Sequence, residues 1–171
     1  MLLLALHHQN ESFLKGTNMP QSLSSILIHL VFSTKHREPF ITPEVEADLH
    51  DYLGGIFRRC ECPSLLIGGT ADHIHALFVL SRTKTVASVV EDVKSSSSKW
   101  IKTKGEAFQA FQAFQWQGGY GAFSVSQSGL EKVKRYIANQ KQHHGQTTFQ
   151  DEYRLLCKKY GVEIDEQYVW D

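Results

Sequence analysis

The stretch "DHIHALFVL", Asp72 to Leu80, sets two histidines one residue apart inside an otherwise apolar run. Residues two apart in a strand share a face, so His73 and His75 can bring imidazole nitrogens to one point while Ile74 and Ala76 face the other side. That geometry suits one metal ion; two hydrogen-bonded histidines on a partly exposed face would read the same way. Downstream, "KRYIANQKQHH" spaces Tyr136 and Gln140 four apart, on one face of a helix, with Arg135 and Lys141 beside them. A tyrosine hydroxyl can act as a nucleophile and a glutamine amide oxygen as a metal ligand, although an exposed pair at this spacing needs no function. His143 and His144 add further candidate ligands, or simply favour the helix dipole when charged.

These side chains need a scaffold, and its parts are readable. From Ile26 the alternation is clean: Ile26, Ile28, Leu30 and Phe32 point one way, and Leu27, His29 and Val31 the other, as in a largely buried strand. "TPEVEADLHDYLGGIFRRC" predicts a first helix with Thr42 as N-cap and Pro43 at its first position, weakened in the middle by Gly54-Gly55. "SLLIGGTADHIHALFVL" predicts a hairpin of two strands reversing at "GGTAD". Val86, Val89, Val90, Val93, Trp100 and Ile101 mark one face of a second helix, with Ser95 to Ser98 as poor helix filler. "GYGAFSVS" reads as a fourth strand, and "SGLE", Ser128 to Glu131, as a capping box starting a third helix that runs to about His144. A last helix over 148–160 offers Phe149, Leu155, Leu156 and Tyr160 for docking.

Strand, helix, strand, strand, helix, strand is the split βαβ order of a ferredoxin-like α+β sandwich: an antiparallel sheet with helices on one face, plus a C-terminal helix. Residues 1–18 show no sustained period and precede a second methionine, Met19, so they read as a flexible leader or the product of an upstream start; 19–145 would be the main domain and 146–171 a helical extension. The tandem "FQAFQAFQWQ" reads as a loop or helix end, since nothing else in the chain has its period.

The 171 residues suit one domain. Acids and bases balance at 18 each, so a nucleic-acid partner would have to be met by a local basic patch. Lys94, Lys99, Lys102 and Lys104 along the second helix, and Lys132, Lys134 and Arg135 around the tyrosine, are candidates, or else solvated helix faces. Three cysteines without a C-x-x-C pair suggest a reducing, cytoplasmic setting, and "MLLLAL" is too short to span a bilayer and lacks a preceding basic residue.

In combination, "ADHIHALF", "VEDVKSSSSKW", "WQGGYGAFSVS" and "VKRYIANQ", in order from about Ser25 to His144, resemble the single-tyrosine HUH transposases of the insertion-sequence type and their REP-associated relatives. The resemblance implies His73, His75 and Gln140 as ligands of Mg2+ or Mn2+, and Tyr136 as the nucleophile that cuts single-stranded DNA through a 5′-phosphotyrosine intermediate. It further implies hairpin-containing DNA ends as substrate and a homodimer in which the tyrosine helix completes the partner's site. The long leader, the "FQAFQAFQW" insertion and the final segment depart from the simplest family pattern. Two other classes stay open: a noncatalytic ferredoxin-like nucleic-acid-binding module, which should present stacking aromatics on its strands, and a metal-dependent hydrolase with Asp72 as general base.

Overall fold

A computed structural model describes residues 22–104, 109–145 and 147–170; the leader at 1–18 and the first residue of the "FQAFQAFQW" segment lie outside them. Four strands, β1 (Ile26–Ser33), β2 (Ser64–Gly69), β3 (His73–Leu80) and β4 (Gly121–Val125), form one sheet in the order β2-β3-β1-β4 with every neighbouring pair antiparallel. The chain is therefore the α+β, ferredoxin-like sandwich expected. The β1–β3 register sets Val31 opposite His75 and Ser33 opposite His73.

Alternation divides the chemistry of the sheet. Ile28, Leu30 and Phe32 of β1, with Ile74, Ala76 and Phe78 of β3, pack on α1 (Pro43–Arg59) and α2 (Val86–Lys102) in the main apolar core. The opposite face carries His29, His73 and His75, all buried, because two smaller apolar groups close around them. Leu77 meets Val133 and Ile137 of α3 (Leu130–Ala138), while Val31 and Phe123 meet Phe149, Tyr153 and Leu156 of α5 (Phe149–Tyr160). The two crossover helices thus share one face as expected, and the C-terminal helices roof the other.

Local details differ from the sequence reading for identifiable reasons. The Gly54-Gly55 pair leaves α1 unbroken, since Val45, Leu49, Leu53, Ile56 and Phe57 anchor it on both sides. Within the serine run of α2, Ser97 is fully buried: its hydroxyl donates to the Val93 carbonyl and accepts from Trp116 Nε1 at 2.9 Å. Lys94 is not part of a free basic face, because its ammonium donates to the carbonyls of Gln117, Gly118 and Gly119 at 2.9, 3.3 and 2.6 Å and pins the approach to β4. Ser128 does not cap α3. Ser126 Oγ accepts from Gly129 N at 3.1 Å ahead of a short turn, and Glu131 pairs instead with Lys134 at 2.9 Å. Nor does α3 run on to His144: Asn139 (φ −100°, ψ 16°) interrupts it, and a single turn, α4 (Gln140–His143), follows.

Candidate metal and tyrosine site

The hairpin between β2 and β3 delivers the two histidines. At Gly69 a Cβ would lie 2.1 Å from the His73 carbonyl oxygen, so only glycine lets the strands close there. His73 and His75 then project from β3 toward α3 and α5, with ring centroids 5.1 Å apart. Each is oriented from behind. His73 Nδ1 lies 2.7 Å from Asp72 Oδ1 and 2.9 Å from Thr70 Oγ1, and His75 Nδ1 lies 2.9 Å from His29 Nε2, its diagonal neighbour across the strands. A proton on each Nδ1 satisfies these contacts and leaves both Nε2 lone pairs facing forward, the arrangement by which outer partners orient metal-ligating histidines.

Forward of them stands Glu152 of α5, 2% exposed. Its Oε1 accepts hydrogen bonds from the Tyr136 hydroxyl and from Gln140 Nε2, the latter at 2.9 Å, and its Oε2 lies 2.7 Å from His144 Nε2. His75 Nε2 is 3.5 Å from Oε1 and His73 Nε2 is 3.9 Å from Oε2. Tyr136 and Gln140 therefore converge on one carboxylate although the helix breaks between them. Among the described residues, His73, His75, His144 and Glu152 could hold a metal ion, with candidate ligand atoms all within 4.8 Å of one another.

Burial dominates the electrostatics. It pushes His29 down to about 3, aided by His75, and His75 down to about 4 against the raising influence of Glu152, so both imidazoles are neutral at pH 7. Burial, then the hydrogen bond and charge of Glu152, raise the Tyr136 phenol well above its ordinary value. Burial opposes the Glu152 charge, but the hydrogen bond from His144, the neighbouring His75 imidazole and the Tyr136 hydroxyl outweigh it and hold the carboxyl well below the usual range. Tyr136 is thus a neutral phenol beside a carboxylate.

Whether a cation fits can be judged from atoms left without partners. His73 Nε2, His75 Nε2 and Gln140 Oε1 are buried and accept no hydrogen bond, the state in which polar atoms are costly unless something binds them. Two imidazole nitrogens, an amide oxygen and a neighbouring carboxylate are an ordinary donor set for a divalent ion.

The family model "Transposase IS200 like" matches residues 22–140, most of the chain. The chain belongs to this family. The family-matched stretch contains His73, His75, Tyr136 and Gln140 but ends before His144 and Glu152. A search of curated proteins finds no match. Among solved structures, the fold is similar to a crystal structure from Deinococcus radiodurans R1 provisionally assigned as a transposase (TM-score 0.57, 20% identity, 73% of this chain and 98% of that one). It is also similar to the REP-associated tyrosine transposase bound to a REP hairpin (TM-score 0.56, 10% identity, 77% of this chain and 76% of that one).

Sequence reasoning passed over Glu152 and assigned no role to His29; it took Asp72 only for a general base. Helical spacing carried a signal for Glu152, which stands three after Phe149 and four before Leu156 and so falls on the docking face of α5. Leu155, expected to dock, is instead 61% exposed. It lines an open cleft beside Tyr136 together with Lys132, Leu156, Lys159 and Tyr160. Among the described residues no helix is long and apolar enough to cross a membrane.

Proposed function

We propose that the protein is a metal-dependent transposase that cuts and rejoins single-stranded DNA with Tyr136 as nucleophile. The observation that carries this reading is the meeting, in one buried place, of the Tyr136 hydroxyl with three partnerless donor atoms, His73 Nε2, His75 Nε2 and Gln140 Oε1. Those three residues would hold a divalent cation, Mg2+ or Mn2+ by the family resemblance, which when bound polarises the scissile phosphate and favours the ionised tyrosine. Asp72 and His29 keep the two imidazoles in the ligating tautomer. Tyr136 Oη attacks phosphorus while its proton, already directed at Glu152 Oε1, leaves along that hydrogen bond. The bond from phosphorus to the 3′ oxygen breaks, leaving a 5′-phosphotyrosine and, once protonated, a free 3′-hydroxyl. Attack by a 3′-hydroxyl on the phosphotyrosine reverses the step, so rejoining consumes no nucleotide.

Single-stranded DNA with hairpin-containing ends is the proposed substrate, supported by the similarity to a transposase bound to a REP hairpin and by Lys132 and Lys159 in the cleft at Tyr136. The reading carries with it residues 19–145 as the domain that supplies the nucleophile and the histidine and glutamine ligands, residues 146–171 as an extension that brings in Glu152, a cytoplasmic setting and a homodimer. A binding module that stacks bases on an open sheet fits less well, because His73 to Phe78 of β3 are buried under helices on both faces.

Incubation with Mn2+ and single-stranded oligonucleotides from the flanking genomic sequence, followed by a denaturing gel, tests the mechanism. A covalent protein–DNA adduct formed by the wild type and absent in Tyr136→Phe is the expected result. Oligonucleotide binding without any adduct would move the protein to the noncatalytic class.

A further inference from the structure

We infer that Glu152 is itself a ligand of the cation, so that α5, beyond the family-matched stretch, forms part of the metal site; this extends the metal reading above and depends on it. Glu152 is 2% exposed, and its ion-pair contacts among the described residues are to His73, His75 and His144 rather than to a lysine or arginine. A carboxylate taken out of water needs a positive partner. Its oxygens face the two partnerless Nε2 atoms at 3.5 and 3.9 Å, separations too long for good hydrogen bonds. They are the separations expected of donor atoms sharing one cation, roughly 3 to 4.3 Å for ligand bonds of 2.0–2.2 Å.

The carboxylate is also held in place from both sides. Gln140 Nε2 donates to Oε1 at 2.9 Å while Gln140 Oε1 stays free for the same cation, and His144 Nε2 steadies Oε2 at 2.7 Å. His73, His75, Gln140 and Glu152 then supply four protein donors from three separate segments, and in a six-coordinate ion roughly two positions stay open for phosphate oxygen or water. Glu152 adds the one formal negative charge to a ligand set that is otherwise neutral, and with it a preference for a hard cation over a soft one. Because Oε1 also accepts the Tyr136 hydroxyl hydrogen bond, the same side chain ties the nucleophile to the ion.

Mn2+ binding to the full chain, read from loss of the free-ion electron paramagnetic resonance signal, tests this without DNA or turnover. Wild type should bind one Mn2+ and His75→Ala none. Glu152→Gln, which keeps shape and hydrogen-bonding capacity, should bind roughly tenfold or more weakly with an unchanged circular dichroism spectrum. Glu152→Gln binding as tightly as wild type, while His75→Ala does not bind, would overturn the role of Glu152 and leave the histidine–glutamine site standing. No binding by wild type would remove both. Should Glu152→Gln fail to fold, infrared difference spectra of wild type carrying 13C-carboxyl glutamate replace it: a shift of a labelled carboxylate band on adding Mn2+ supports ligation, and an unchanged band refutes it.

Discussion

His29 is not among the proposed ligands and meets Tyr136 only ring to ring, yet the tautomer of His75 depends on it. Its buried imidazole, at about 3, and that of His75, at about 4, both lie below the 6.5 of an unfolded chain. Between these values the unfolded state binds more protons than the folded one, so the contribution of each to metal-free stability is present above 6.5 and is lost as pH falls toward the folded value. Urea unfolding midpoints should therefore drop from pH 7 to pH 5, His29 accounting for about 1–2 kcal/mol, and His29→Gln should flatten the slope. Asp72→Asn should lower Mn2+ affinity by roughly 10- to 100-fold with little change in melting temperature, since it loosens the orientation of His73 rather than the core; calorimetric titration checks this. At this scale the shared face of His73 and His75 was legible from strand alternation, whereas Tyr136 and Gln140 meet across a break at Asn139 that helical spacing did not foresee. The link from His29 to His75 was not legible, because it arises from the β1–β3 register, and Glu152 announced itself only by its phase within α5.

Among the elements, α3 sits so close to β2 that a residue with no side chain separates them. A Cβ at Gly68 would lie 2.9 Å from both Ile137 Cγ2 and the Ile137 carbonyl oxygen, so Gly68→Ala must push back the helix segment next to Tyr136. The expected cost is about 1–3 kcal/mol in stability, with a larger proportional loss of DNA adduct than of folded protein. Gly55→Ala makes the contrast. The nearest heavy atom to its Cβ is Arg58 Nη2 at 3.9 Å, at the far end of a flexible side chain, so thermal unfolding should show no loss and a gain of up to about 1 kcal/mol. The sequence pattern located every strand and long helix here, but not how α3 begins and ends. "SGLE" has the capping-box spelling, yet Ser126 caps a short turn through Gly129 and α3 follows it without a side-chain cap of its own. The serine run of α2 looked like poor filler because the partner of Ser97, the Trp116 indole, arrives from 19 residues away.

For the molecule as a whole, Tyr136 reaches the histidines of its own chain, with ring centroids 5.9 Å from His75 and 6.1 Å from His29. A mixture of Tyr136→Phe and His75→Ala chains should therefore form no adduct; restored adduct would mean that the tyrosine helix crosses to a partner, as the family resemblance implies. The order of elements was legible throughout, whereas the docking of α5 over the polar face of the sheet was not, because its apolar residues name a surface to bury without naming the one they meet. The odd and even positions of β1 and β3 carry a further consequence for folding. His29, His73 and His75 share one parity, and the hydrocarbon of the main core occupies the other. Slipping β3 by one residue would drive two imidazoles, His73 and His75, into oil and turn Ile74 toward the carboxylate, and slipping β1 would do the same with His29 and Leu30. The histidine cluster thus doubles as an error check on assembly: a misregistered chain is penalised before its buried polar face can close.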